Sequence, residues 1–89
     1  MKNALTFTTH IFKEGKQYVS FNPELEVASC GDSPVEARNN LKKAIISFIS
    51  VAREKGTLGS ILKQAGFTKE KKSWKDPSFK TIEKLSLPI

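Results

Sequence analysis

The side chains able to do chemistry are few in this 89-residue chain. His10 is the single histidine and Cys30 the single cysteine. A general base must reach the proton it takes and be held by an orienting partner. The spacing around His10 supplies neither, so it reads as an ordinary surface or sheet-face histidine. Cys30 precedes Gly31 close to a helix start, where a thiolate is favoured. No second histidine or other obvious base accompanies it, and Cys30 reads as a small buried residue. One cysteine and one histidine exclude a Cys/His zinc site. The acids Glu24, Glu26 and Asp32 lie close in the chain without regular ligand spacing. They read as loop-surface and helix-start charges. Gly56 and Gly59 lack the preceding strand and the Lys-Ser/Thr pair of a phosphate loop. Two-metal chemistry of the ribonuclease-H type needs clustered carboxylates on strands, and the strand pattern has no such cluster. An enzyme is therefore not expected, and neither is a metal or cofactor.

The second chemical feature is basic. Lys69, Lys71, Lys72 and Lys75 surround Trp74. Such a segment could neutralise phosphates while the indole stacks on a base. The alternative is a solvated loop whose tryptophan folds onto the core. The net charge of +6 resides in the helix and C-terminal regions, since residues 1–33 carry more acids than lysines. That balance suits a soluble surface or an acidic partner.

These side chains need elements to position them. Leu5, Phe7, Thr9 and Ile11 alternate with Thr6, Thr8, His10 and Phe12, a period of two that predicts a strand. Glu14-Gly15 makes a turn, Tyr18 to Phe21 resume extended structure, and residues 4–22 read as a hairpin. Pro23 breaks it. Val27 to Cys30 form a short third strand ending at Gly31. Ser33, Pro34 and Glu36 then predict a helix start: a capping serine, proline at the first helical position, and the acid of a capping box. Ala37, Leu41, Ala44, Ile45, Phe48 and Ala52 recur at three and four, giving a helix to about Lys55. Its 44–52 portion is apolar nearly all round, so it packs under the rest of the chain or against another subunit. Residues 57–66 predict a short helix stopped by Gly66, residues 67–80 a basic loop, and residues 81–89 a closing strand limited to an edge by Pro88.

The expected architecture is α+β. An antiparallel sheet of three or four strands carries one long helix, in the order β-β-β-α-(α)-β, with sheet and main helix in residues 4–55. Eighty-nine residues make one domain, residues 1–89, with a core marginal on its own. A dimer or tetramer is the expected remedy, through the sheet edge or the 44–52 helix face. The interface candidates are Ile46, Ile49, Leu85, Leu87 and Ile89. The start of the chain lacks the pattern of a signal peptide, and no apolar run approaches bilayer length. With a free thiol, cytoplasmic residence is expected and membrane association is not.

The sequence resembles the HicB-like antitoxins at Tyr18-Val19-Ser20-Phe21-Asn22-Pro23-Glu24-Leu25, at Ser29-Cys30-Gly31-Asp32-Ser33, at Glu36-Ala37 and at Asn40-Leu41-Lys42-Lys43-Ala44-Ile45. The stretch 58–67 and a closing strand are also similar. The resemblance implies a partial ribonuclease-H-like fold in a prokaryotic cytoplasm, a dimer or tetramer, and sequestration of a small HicA-type mRNA-cleaving toxin by occlusion. The acids Glu24, Glu26 and Asp32 are the complement to such a toxin. The chain departs from the pattern at residues 25–30, where the family has a Leu-Pro-Gly-Cys-like stretch. No ribbon-helix-helix or helix-turn-helix pattern follows Phe67, so a dedicated operator-binding unit is not expected. The alternative function is a stand-alone nucleic-acid-binding module using residues 69–75.

Overall fold

The structure, a computed structural model, describes residues 5–70, 73–77 and 85–88. It is the expected small α+β fold. Strands β1 (His10–Glu14), β2 (Gln17–Asn22) and β3 (Val27–Gly31) form an antiparallel sheet in the order β1-β2-β3. Helix α1 (Pro34–Glu54) lies across one face, followed by α2 (Leu58–Gln64) and a separate pair, β4 (Thr68–Glu70) and β5 (Ser73–Lys75). Leu25, Leu41 and Ile45 form the buried centre, with Phe7, Val27, Phe48, Ile49, Ile61 and Ala65 packed around them.

The β1–β2 hairpin closes through two residues, with Glu14 opposite Gln17 and Gly15 at φ +64°. A turn this tight makes Glu14 and Gln17 a hydrogen-bonded pair, and the alternation follows from there. His10, Phe12 and Glu14 direct their backbone groups toward β2, while Ile11 and Lys13 direct theirs to the open side.

The first strand is shorter than predicted. Residues 5–9 carry the right alternation but are not in the sheet. The register explains why. After the pair His10–Phe21, the next hydrogen-bonded pair would be Thr8 with Pro23, and proline has no N–H to give. Side chains take over the missing bonds. Asn22 Nδ2 donates to Thr8 O at 2.8 Å, and Glu24 Oε1 accepts from Thr8 N at 2.7 Å. Two residues earlier, Thr6 N donates to Asp76 Oδ1 at 2.9 Å. Asn22 also accepts from Leu25 N at 2.8 Å and donates to Glu24 at 2.7 Å. The side chain of one buried asparagine thus ends the ladder, shapes the β2–β3 loop and ties down the chain entering β1.

The strand-to-helix junction forms as expected. Ser33 Oγ accepts from Glu36 N at 3.1 Å and Pro34 opens α1. Gly31 is required for proximity rather than for unusual dihedrals. A Cβ there would lie 2.6 Å from Ala37 N and 2.9 Å from the Glu36 carbonyl carbon. Ser20, buried on the same sheet face, donates to Ala37 O at 2.7 Å. Sheet and helix are therefore locked together within the first turn of α1.

Both helices end in the same way. Gly56 N donates to Arg53 O and Thr57 N to Ala52 O; Gly66 N donates to Lys63 O and Phe67 N to Leu62 O. Each is a Schellman motif, with glycine at φ +72° and +102°. The second places buried Phe67 with its ring 5.5 Å from the Phe7 ring, centroid to centroid.

Two expectations downstream are corrected. Residues 67–80 are not a loop throughout, because 68–70 and 73–75 pair as a hairpin. Lys69 stands opposite Trp74 and lies 5.9 Å from its ring centroid, a cation–π pair that favours strand pairing over a solvated coil. Of the expected closing strand 81–89, residues 85–88 are described; they pair with no strand among the described residues, and Leu85 and Leu87 are exposed. Residues 81–84 and Ile89 lie outside the described residues.

Candidate functional site

The three candidate acids do not make one surface. Glu24 is half-buried, and its Oε1 accepts from both Thr8 N and Asn22 Nδ2. One carboxylate oxygen thus ties the β2–β3 loop to the chain entering β1. Glu26 is exposed at φ +56° in the same loop. Asp32 is exposed at the far end of β3, and the five strand residues between the two hold them up to about 20 Å apart. Glu26 and Asp32 remain available to a partner, at opposite ends of the sheet.

The basic hairpin also differs from its expected form. Trp74 is half-buried beside a pocket shared with Leu5, Phe7, Ile49, Leu58 and Leu62, and Lys69 lies over its ring. Lys69 and Lys75 are exposed, while Lys71 and Lys72 lie outside the described residues. Two described lysines on a short hairpin, with the indole engaged, make an electrostatic patch rather than a stacking platform.

The outer sheet face holds the two residues with the chemistry considered first. Strand alternation places His10, Phe12, Val19, Phe21, Ala28 and Cys30 on the face away from α1. Cys30 is exposed, not buried as expected. Its neighbours Ser29 and Gly31 take the inward positions, so parity sends the thiol out. His10 is exposed and packs its ring 6.5 Å from Phe21. Among the described residues, no group of three or more His, Cys, Asp or Glu side chains is placed to hold a metal ion. No helix among them is long and apolar enough to cross a membrane.

The two sheet edges are unequal. On β3 the outward carbonyl of Cys30 accepts from Asn40 Nδ2 at 2.8 Å, so α1 blunts that edge. On the other side, residues 5–9 run on from β1 outside the sheet, and no strand among the described residues pairs with the outer edge of β1. Thr6 and Thr8 continue the inward set of N–H groups, which leaves Phe7, Thr9 and Ile11 facing out. Beneath this edge runs a groove of about 360 Å³ lined by Phe7, Thr9, Leu41, Ile45, Ile46 and Ile49, with Arg38 and Lys42 as its charged members. Ile46 is 57% exposed. Of the predicted interface residues, the structure thus brings Ile46 and Ile49 to one groove.

A second apolar groove, about 460 Å³, lies between α1, α2 and the start of β3, lined by Val27, Phe48, Val51 and Ile61 with Lys55 at its border. Sequence reasoning missed Asn22 and Asp76 as structural residues. The proline one place after Asn22, within a hairpin pattern, was the available signal for Asn22. Nothing in the spacing pointed to Asp76.

Comparison of the chain with protein-family models, with curated proteins and with solved structures gives no match.

Proposed function

We propose that this chain is a non-catalytic protein-binding module of the HicB-like antitoxin kind, which neutralises a small RNA-cleaving toxin of HicA type by occluding it in a prokaryotic cytoplasm. The observation that carries the reading is the junction. Three antiparallel strands deliver Gly31-Asp32-Ser33 to the capped N-terminus of one long helix, with glycine demanded by the 2.6 Å approach to Ala37 N. These are the positions on which the resemblance rests. Of the three candidate acids, Glu26 and Asp32 are exposed and offered to a basic toxin, while Glu24 is half-buried with its Oε1 already hydrogen-bonded. The nucleic-acid alternative is less favoured, because Trp74 is already engaged by Lys69 and the apolar pocket.

The test is to co-express the chain with a small basic reading frame encoded beside its gene. The expected result is co-purification and suppression of that partner's RNA cleavage, weakened at low salt by Asp32→Lys or Glu26→Lys. Failure of any neighbour-encoded protein to co-purify would overturn the reading, as would magnesium-dependent RNA cleavage by the purified chain alone.

A further inference from the structure

Helix α1 lies across one face of the sheet, and the other face is apolar at its centre and acidic at its ends. The pairing register lays out its rows. His10, Phe21 and Ala28 stand side by side in one row, and Phe12, Val19 and Cys30 in the next. Glu14 and Gln17 begin a third row, and one step past the pair Tyr18–Gly31, Asp32 falls opposite Gln17. At the other end, Glu26 is exposed in the loop just before β3. We infer that this face docks a basic amphipathic helix of another protein, with the apolar stripe of that helix on the two central rows and its cations on the acids at either end. The inference rests on the reading of the chain as a protein-binding module, but its experiment needs no toxin, so either can fail without the other.

The central strand carries the argument. An antiparallel sheet with one face in water ordinarily turns its apolar residues inward and its polar ones outward. Strand β2 does the reverse. It turns Ser20 and Asn22, both fully buried, toward the helix, where each makes its hydrogen bonds. Val19 and Phe21 therefore point away from the helix. Phe12, beside Val19, is 49% exposed, and His10, Ala28 and Cys30 are exposed around them. A contiguous apolar surface of this kind marks an interaction site.

Charge selects the partner. The outward strand positions hold no Lys or Arg. Strand parity turns Lys13 to the helix side, and Lys16 stands in the turn beyond the acidic row. The other exposed cations among the described residues lie on or next to α1, on α2 and on the β4–β5 hairpin. A chain of net charge +6 thus keeps its outer sheet face acidic. Nucleic-acid phosphates and anionic lipid meet like charge there, and so does the same face of a second copy. A cationic segment meets complementary charge.

Spacing selects a helix. Rows on one face stand about 6.7 Å apart along the strands, and residues four apart on a helix rise about 6 Å. A helix laid along β2 sets side chains i and i+4 on the two apolar rows. One turn further reaches Glu14 and Asp32, and one turn earlier reaches toward Glu26. Three strands span about 10 Å, the width of one helix with its side chains.

The probe is a synthetic helix of about 18 residues, with leucines four apart flanked one turn outside by lysines. Its control carries glutamate in place of lysine. Both are labelled with fluorescein and titrated with the full chain by anisotropy, with circular dichroism confirming that each variant is folded. The lysine helix is expected to bind about tenfold more tightly than the glutamate helix, against the sign of the net charge, and to slow alkylation of Cys30 when bound. Phe12→Asp is expected to weaken it about tenfold. Glu14→Lys/Asp32→Lys, altered at two exposed positions, is expected to reverse the preference. Ile46→Asp, on α1, is expected to change nothing. A wild type that prefers the glutamate helix overturns the inference, because net charge then decides. Binding of the lysine helix that survives both face variants, or that leaves Cys30 alkylation unchanged, overturns it too, since the helix then sits elsewhere. So does self-association in sedimentation that both face variants abolish, because the occupant is then a second copy.

Discussion

Asn22 gives the sharpest test of how this chain holds its first strand. Its side chain is fully buried and makes three hydrogen bonds, to Thr8 O, to Glu24 Oε1 and from Leu25 N. In Asn22→Ala the Thr8 carbonyl and the Leu25 N–H lose their partners, and the Glu24 carboxylate loses one of two. A neutral bond contributes about 1 kcal/mol net, and one to a charged group about 2. The expected loss is therefore about 4 kcal/mol. A domain of this size holds a total on the order of 5 kcal/mol, so the variant keeps about 1 kcal/mol and roughly one molecule in six should be unfolded without denaturant. Glu24→Gln keeps a carbonyl acceptor for Thr8 and Asn22 and is expected to lose about 1 kcal/mol. Asn22→Asp keeps the acceptor for Leu25 N–H but sets an oxygen against Glu24 Oε1 where the amide now donates. It is expected to be no more stable than the alanine variant. Urea titrations followed by circular dichroism and Trp74 fluorescence measure all three. A loss below about 1 kcal/mol in Asn22→Ala would refute the reasoning, because residues 5–9 would then be held by apolar packing alone.

Gly31→Ala forces a methyl into backbone atoms of the α1 first turn and is expected to cost about 2 kcal/mol or more; unchanged stability in urea would show that strand and helix can separate freely. Ser33→Ala removes the cap on Glu36 N and is expected to cost about 1 kcal/mol, read as a lower midpoint in the same titration. Cys30, exposed on the outer sheet face, is expected to react with a chromogenic disulfide reagent in the native protein as readily as after denaturation. Protection relieved only by urea would contradict the strand parity.

Local signals in the sequence determined the frame. Ser33-Pro34 and Glu36 set the start of α1, Gly56 and Gly66 stopped both helices, and period-two alternation found β2 and β3. Each signal acts through atoms a few residues apart, so no distant contact was needed to read it. The tertiary structure decided the rest. Thr8 leaves the ladder because its partner across the hairpin is Pro23, and Asp76 reaches Thr6 from 70 positions away. Glu24 looks like a free acid in the sequence and is a structural tie once Asn22 is beside it. Residues 68–75 looked like a basic loop until Lys69 met Trp74 across a hairpin. Cys30 looked like a core residue, but the pairing register fixed which face each β3 side chain occupies. The two sheet edges were indistinguishable in sequence and differ in space because α1 carries Asn40 over one and leaves a groove under the other. Composition and period report what a segment can do alone, whereas register and long-range hydrogen bonds depend on where the chain returns.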